Sequence, residues 1–103
     1  MGVRLRLSKQ TLAVLDALLA RATQWHHGYA LSQQTGLASG TLYPILMRLE
    51  KSGWLETRWE EAPVPGRPPR HFYRLSTDGR EWARDEIGAA QASNFWKPLQ
   101  SKV

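Results

Sequence analysis

Three patterns in the sequence predict a single α+β domain that is mainly helical. Apolar side chains recur at helical spacing in three segments, and the second and third are joined by a short glycine-containing turn. Two alternating segments, 54–60 and 70–75, then enclose a stretch rich in proline and glycine, which predicts a β-hairpin. A helix-turn-helix followed directly by a hairpin is a winged helix-turn-helix, with three helices and a β-hairpin wing.

The first three helices are predicted from their apolar stripes and their end signals. Ser8 is suited to cap a helix over residues 8–22, and residues 23–28 are expected to form a loop. A second, short helix spans Tyr29–Thr35 with its first three residues facing inward, and a glycine ends it. The third helix spans Thr41–Ser52, with Pro44 in its first turn or just past it. This proline is tolerable if the helix begins near Gly40, because few backbone hydrogen bonds are lost so early.

A fourth helix follows the hairpin. Thr77 or Asp78 can cap it, and it is expected to run to about Trp96, just before a proline. We therefore predict a winged helix-turn-helix over residues 1–76 and a C-terminal dimerisation helix over residues 77–103, together forming a single compact unit.

Composition narrows the classes of function. The 14 lysines and arginines exceed the 9 acidic residues and give a net charge of +5, which fits a polyanionic partner, although many small proteins are basic for no specific reason. The absence of cysteine excludes disulfides and thiolate metal sites. No apolar run approaches the ~20 residues of a membrane span. We expect a cytoplasmic protein without membrane contacts.

Catalytic and metal-binding patterns are not found. His26, His27 and His71 invite a metal interpretation, but no carboxylate stands at motif spacing around the adjacent pair. There is no nucleophile elbow, P-loop or metalloprotease motif. We expect no enzyme activity, no metal and no cofactor.

The sequence resembles the PadR family of transcriptional regulators. The likeness rests on residues 27–31, 35–50, 53–55, 66–76 and 78–80, which include a Gly-Thr-Leu-Tyr-Pro element and a Gly-Arg-Pro wing before a Tyr-Arg-Leu strand. The resemblance implies a winged-helix homodimer that usually represses transcription and dimerises through its C-terminal helices. The short tail is similar to the smaller branch of the family, and the wing tip is richer in proline than the family pattern.

The third helix is expected to lie in the DNA major groove, with the wing on the backbone or in the minor groove. Hydroxyl and N–H groups at its N-terminus suit a phosphate, and prolines between the wing arginines stiffen the tip. The candidate DNA-binding residues are Ser39, Gly40, Thr41, Tyr43, Arg48, Lys51, Arg67 and Arg70. Three further basic residues could add phosphate contacts, namely Arg4, Arg6 and Lys9.

Each of these candidates also has a simpler structural explanation. Ser39 can be a helix cap, Tyr43 can pack in the core, and Arg48 and Lys51 can belong to a solvated helix face. The wing arginines can be ordinary solvated charges of a hairpin.

The last helix carries the candidate dimer interface. Trp82, Ala89 and Trp96 stand at heptad spacing, and a domain this small is expected to have little surface left to cover its last aromatic residues. The candidate interface residues are Trp82, Ile87, Ala89, Phe95 and Trp96. Two other interpretations remain: the face packs only on its own domain, or its aromatic side chains line a dimer cavity for a flat hydrophobic effector.

These features favour a sequence-specific DNA-binding regulator, expected to be a repressor, that acts as a homodimer on an inverted-repeat operator. Its partners would be double-stranded DNA and a second copy of itself. The alternative is a winged-helix protein-interaction module, such as an anti-repressor or assembly partner, without productive DNA binding. The basic charge at the third helix and wing favours the first function.

Overall fold

The computed structural model describes residues 7–98, which form four helices and a three-stranded sheet. The elements in chain order are α1 (Lys9–Ala20), β1 (His26–His27), α2 (Gly28–Thr35), α3 (Ser39–Lys51), β2 (Leu55–Trp59), β3 (His71–Leu75) and α4 (Thr77–Ala92). The helix-turn-helix α2–α3 and the β2–β3 hairpin confirm the winged-helix prediction. Within the described residues, every helix is too short or too polar to cross a membrane.

Serine side chains cap the first and last helices. The Ser8 hydroxyl accepts a 3.1 Å hydrogen bond from the Thr11 N–H, as predicted. The cap of α4 is Ser76, which accepts from the Gly79 N–H at 2.9 Å, and the prediction of Thr77 or Asp78 is wrong. Ser76 takes this role because it keeps the extended backbone of the preceding strand, which places its hydroxyl below the first turn of the helix.

The antiparallel sheet has the order β1-β3-β2. The hairpin register places Leu55 opposite Leu75 and Trp59 opposite His71. The loop predicted over residues 23–28 instead contains β1, in which His26 pairs with Tyr73. Two residues are too few for an alternating pattern, and their hydrogen-bonding partner lies far away in the sequence, so local signals could not reveal this strand.

The four helices and one face of the sheet enclose the core. Its largest fully buried side chains are Leu12, Val14, Leu15, Leu18, Leu31, Leu42, Leu46 and Leu75. The start of α4 lies so close to the sheet that a Cβ on Gly79 would overlap the Trp54 carbonyl oxygen. The Trp54 ring stacks on Trp82, with ring centroids 4.7 Å apart, and so fixes α4 to the strand that follows α3.

The chain turns after α4 and covers its own core. The helix ends at Ala92, not at Trp96 as predicted, and Asn94 adopts a left-handed conformation that asparagine tolerates well. The Trp96 side chain is 7% exposed and belongs to the core, beside the first turns of α1. The Phe95 ring is half-buried under the Lys9 ammonium group, 5.2 Å from the ring centroid.

This turn corrects the reasoning behind the predicted dimer interface. The domain does have surface to cover its last aromatic residues, since α1 provides it. Ile87 and Trp96 are buried within their own chain, and Phe95 and Trp82 are half-buried there. Of the five candidate interface residues, only Ala89 is exposed.

Candidate nucleic-acid interface

Helix α3 has one buried and one exposed face. Leu42, Ile45, Leu46 and Leu49 point into the core. The side of the helix opposite them carries exposed residues spaced four, three and four apart, namely Gly40, Pro44, Met47 and Lys51. The other α3 residues predicted to contact DNA are also exposed, namely Ser39, Thr41, Tyr43 and Arg48.

The N-terminus of α3 is open to solvent. Its N-cap is Ala38, which offers no side-chain acceptor, so Ser39 is the first helical residue and not a cap. Thr41 and Leu42 donate their N–H groups to the Ala38 carbonyl oxygen, whereas the N–H groups of Ser39 and Gly40 have no intrahelical acceptor, as at every helix start. Exposed N–H groups at the positive end of a helix dipole can receive a phosphate oxygen.

Tyr43 links α3 to the start of α2. A Cβ on Gly28 would overlap the Tyr43 hydroxyl, so the ring lies directly across the first residue of α2. The side chain is nevertheless 39% exposed. One edge of the Tyr43 ring therefore packs between the two helices, and the other edge of the ring is accessible to a ligand.

The wing is held by the Glu60 carboxylate. Both terminal nitrogens of Arg67 donate to its two oxygens, at 3.3 and 3.1 Å, and the Arg70 backbone N–H donates to Oε1 at 3.1 Å. The Glu60 backbone N–H in turn donates to the Arg70 carbonyl oxygen at 2.7 Å. These hydrogen bonds lower the pKa of Glu60, so the carboxylate stays charged. The proline-rich loop is therefore closed onto the end of β2.

The two wing arginines, Arg67 and Arg70, differ in whether their charge is paired. The Arg67 guanidinium is paired with Glu60 and its charge is largely neutralised inside the protein. The Arg70 side chain is exposed and makes no hydrogen bond or ion pair within residues 7–98. Arg70 is thus the wing cation that remains available to a phosphate.

An open cleft of about 700 Å³ separates the helix-turn-helix from the wing. Tyr29 and Tyr43 line the helical side, and Arg67, Arg70 and His71 line the wing side. Because one cleft joins the two elements, α3 and the wing can contact the same ligand. Tyr29, Ala30 and Leu31 were predicted to face inward, which is wrong for Tyr29 and Ala30, since both are exposed. Leu31 and Thr35, four residues apart, mark the buried face of α2.

His27 lies at the edge of this cleft, directly before α2. Partial burial and the positive charges of Arg70 and Arg67 lower the pKa of its imidazole, and Glu60 opposes them weakly. The Phe72 ring packs against it, with centroids 5.8 Å apart. His27 is therefore neutral at physiological pH in the free protein.

Aromatic side chains extend the wing side of the cleft. His71 stacks on Trp59 with ring centroids 4.3 Å apart, and its Nδ1 lies 3.1 Å from the Tyr73 hydroxyl. The Tyr73 pKa is raised to about 12 by burial and by the neighbouring Tyr43 and Glu50. The Trp59 side chain is 60% exposed.

Sequence reasoning did not assign Trp59, His71 or Met47 to the interface. For Trp59 and His71 the sequence did contain a signal. By strand alternation Trp59 lies on the same face as Leu55, and His71 on the same face as Tyr73 and Leu75, so both are on the inner face of the hairpin but at its far end, beyond the core. Among the basic candidates, Arg48 and Lys51 are exposed without side-chain partners in the described chain. Arg4 and Arg6 lie outside the described residues.

Comparisons with known proteins agree with this architecture. A family model described as the transcriptional regulator PadR-like family matches residues 14–85, which is most of the chain. A search of curated proteins gave no match.

Several solved structures are similar to the chain over most of its length. The protein smu.1704 from Streptococcus mutans UA159 is 27% identical, covers 89% of this chain and 87% of its own, and superposes with a TM-score of 0.66. A PadR family transcriptional regulator from Eggerthella lenta DSM 2243 is 25% identical, with coverages of 84% and 78% and a TM-score of 0.68. A Streptococcus transcriptional regulator is 26% identical, with coverages of 82% and 83% and a TM-score of 0.63.

A winged helix with an exposed third helix, a match to the family model and similarity to solved transcriptional regulators lead to one assignment. The chain is a regulator of transcription and not an enzyme, and it belongs to the transcriptional regulator PadR-like family.

Proposed function

We propose that this protein is a transcriptional repressor that binds an inverted-repeat operator as a homodimer. The observation that carries the proposal is the cleft that α3 and the wing share. On one side of it lies Arg70, whose side chain has no partner within residues 7–98, and beside it lies the exposed face of α3. Helix α3 would enter the major groove, and Arg70 would contact a phosphate next to it.

The phosphate contacts would come from groups that have no partner within residues 7–98. These are the free N–H groups at the start of α3 and the side chains of Arg48, Lys51 and Arg70. Base contacts would come from Thr41 and Tyr43, whose hydroxyls lie in the first part of the helix. This division of roles is the usual one, because phosphate contacts position the protein and base contacts select the sequence.

The homodimer is proposed from family membership and from the exposed part of α4. Ala89 lies on that exposed part, and the half-buried Trp82, two helical turns earlier in α4, could gain cover from a second copy. A two-fold dimer would place its two α3 helices about 34–36 Å apart, which is one turn of DNA. Sedimentation of the full chain at micromolar concentration tests this, and a monomer at that concentration would contradict it.

An effector site for a flat hydrophobic ligand at the dimer interface remains a proposal. Its support is an open groove of about 440 Å³ in which Ala13, Leu37, Phe95 and Trp96 provide apolar surface between Lys9 and Lys97.

A fluorescence-anisotropy titration separates DNA binding from the alternative of a protein-interaction module. The purified chain is titrated into a labelled random duplex at 50 and 200 mM salt, and we expect binding that weakens steeply as salt rises. The Arg70→Ala variant should bind more weakly, while Arg84→Ala, which removes an exposed arginine from α4, should match the wild type. A wild-type chain that binds no duplex at low salt would contradict the proposal and favour the interaction module.

A further inference from the structure

The exposed side of α3 has a chemical composition that limits what it can recognise. The part of this side directly opposite the buried leucines and Ile45 carries Gly40, Pro44 and Met47, and Lys51 follows one turn later. We call these three residues the α3 patch. None of them has a side-chain hydrogen-bond donor, and only the thioether of Met47 is even a weak acceptor. Met47 is 64% exposed, so its thioether and methyl group are accessible to a ligand.

Gly40 is not required by the fold. Its φ angle is not in the left-handed region, and no atom outside its own helix backbone lies within 4 Å of where its Cβ would be. A glycine within a helix is less stable than an alanine there. The absence of a side chain here leaves the first turn of α3 bare on its exposed side, so that another molecule can approach the backbone closely.

The surroundings of the α3 patch favour DNA as the molecule that covers it. Arg48 and Lys51 lie beside it, both exposed and without side-chain partners in the described chain. The uncapped, positive end of the helix lies at its other side. An apolar patch between positive groups matches the floor of a major groove between two phosphate strands.

Within a major groove, such a patch can distinguish one feature. Base pairs present donors, acceptors and, on thymine alone, a C5-methyl group. A surface without hydrogen-bonding side chains cannot read the donors and acceptors, but it can bury a methyl group. We propose that the α3 patch, in which Met47 has the largest exposed side chain, reads thymine C5-methyl groups in the operator. This inference depends on the proposed DNA-binding function.

The test removes the methyl group and nothing else. A preferred duplex is selected from a random-sequence pool with the purified protein, and each thymidine is then replaced singly by deoxyuridine. We expect about a four-fold weaker Kd at one or two positions in each half-site, as for removing one buried methyl-sized group. All other positions should be insensitive to the replacement.

Variants connect this effect to the patch. Met47→Ala should bind the thymidine and deoxyuridine duplexes equally, and Met47→Leu should keep the difference between them. Gly40→Ala should weaken binding to the selected duplex without lowering Tm, because the new methyl group would meet no atom of another residue within 4 Å in the described part of the chain. Circular dichroism checks that each variant is folded.

The outcomes separate the two proposals. Selective DNA binding with no sensitive thymidine overturns the methyl-reading inference and leaves the DNA-binding function standing. The same holds if Met47→Ala keeps the full deoxyuridine effect, or if it leaves every duplex affinity unchanged, as expected of a patch that docks a protein. Failure to bind any duplex overturns both.

Discussion

Two stacked aromatic pairs at opposite ends of β2 have nearly the same geometry and different surroundings. In the Trp54–Trp82 stack the ring centroids are 4.7 Å apart and the planes 5° from parallel, and in the Trp59–His71 stack the values are 4.3 Å and 7°. The first stack is half-buried between the sheet and α4, whereas Trp59 is 60% exposed beside the cleft. Contact geometry alone therefore does not reveal the role of an aromatic pair. Burial indicates that the first stack stabilises the fold and that the second is available to a ligand.

Removing one ring from each stack should separate these roles most clearly. Trp82→Ala should lower the free energy of unfolding by about 2–3 kcal/mol, since it removes apolar burial and an aromatic contact. Urea denaturation measures the loss. A change below about 0.5 kcal/mol would mean that the Trp54–Trp82 stack does not hold α4 in place.

The same end of β2 should be intolerant of a single added methyl group. Gly79→Ala should cost about 1–3 kcal/mol, because its Cβ would overlap the Trp54 carbonyl oxygen, which cannot easily move. Gly88→Ala is the matched control in the same helix, where a Cβ meets no atom within 4 Å and the substitution should be neutral or stabilising. Equal Tm changes for the two variants would contradict the close approach of α4.

The other end of β2 should show the opposite balance. Trp59→Ala should change the free energy of unfolding by no more than about 0.5 kcal/mol, since the residue is mostly exposed. It should still weaken DNA binding several-fold, because His71 loses the ring that holds it at the wall of the cleft. Unchanged affinity for both selected and random duplexes would assign Trp59 no part in binding.

The two wing arginines should differ in their effect on the salt dependence of DNA binding. Arg70→Ala should reduce the slope of log K against log salt by about 0.9, the value for one phosphate contact. Arg67→Ala should reduce it much less, because Glu60 already neutralises that charge. Anisotropy titrations over several salt concentrations measure both slopes, and equal reductions would show that Arg67 leaves Glu60 when DNA binds.

The smallest effect concerns the protonation of His27. Its pKa in an NMR titration should lie below the ordinary 6.5, and Arg70→Met should raise it by removing a neighbouring positive charge. The folded protein favours the neutral His27 ring. The contribution of His27 to the free energy of unfolding is therefore complete above pH 6.5, and it is lost as the pH falls through the lowered pKa. A pKa that Arg70→Met does not change would mean that the wing does not close over His27.

The parts of the fold that local sequence determines were predictable. The leucine stripes of α1 and α3 and the alternation of the hairpin depend on residues close together in the chain, and Ser8 caps its own helix as expected. The candidate DNA-binding residues on α3 are all exposed for the same reason, since helical spacing separates them from the buried stripe.

Features that depend on distant contacts were not predictable. The end of α4 at Ala92 follows from the packing of Trp96 beside α1, and β1 forms only because β3 lies beside it. The pairing of Arg67 with Glu60 depends on how the proline-rich loop closes, which the pattern of charges does not specify. Sequence reasoning therefore treated the two wing arginines as equivalent, although their surroundings differ.

The short strand β1 sets the distance between the wing and the helix-turn-helix. His27 pairs with Phe72 of the wing, and the next residue, Gly28, already begins α2, so no linker separates the hairpin from the helix-turn-helix. This short connection limits how far the wing and the helix-turn-helix can move apart to suit a ligand. If DNA is that ligand, the duplex must bend or change its groove width to fit, and stiff and pliable sequences would differ in binding even at base pairs that no side chain contacts.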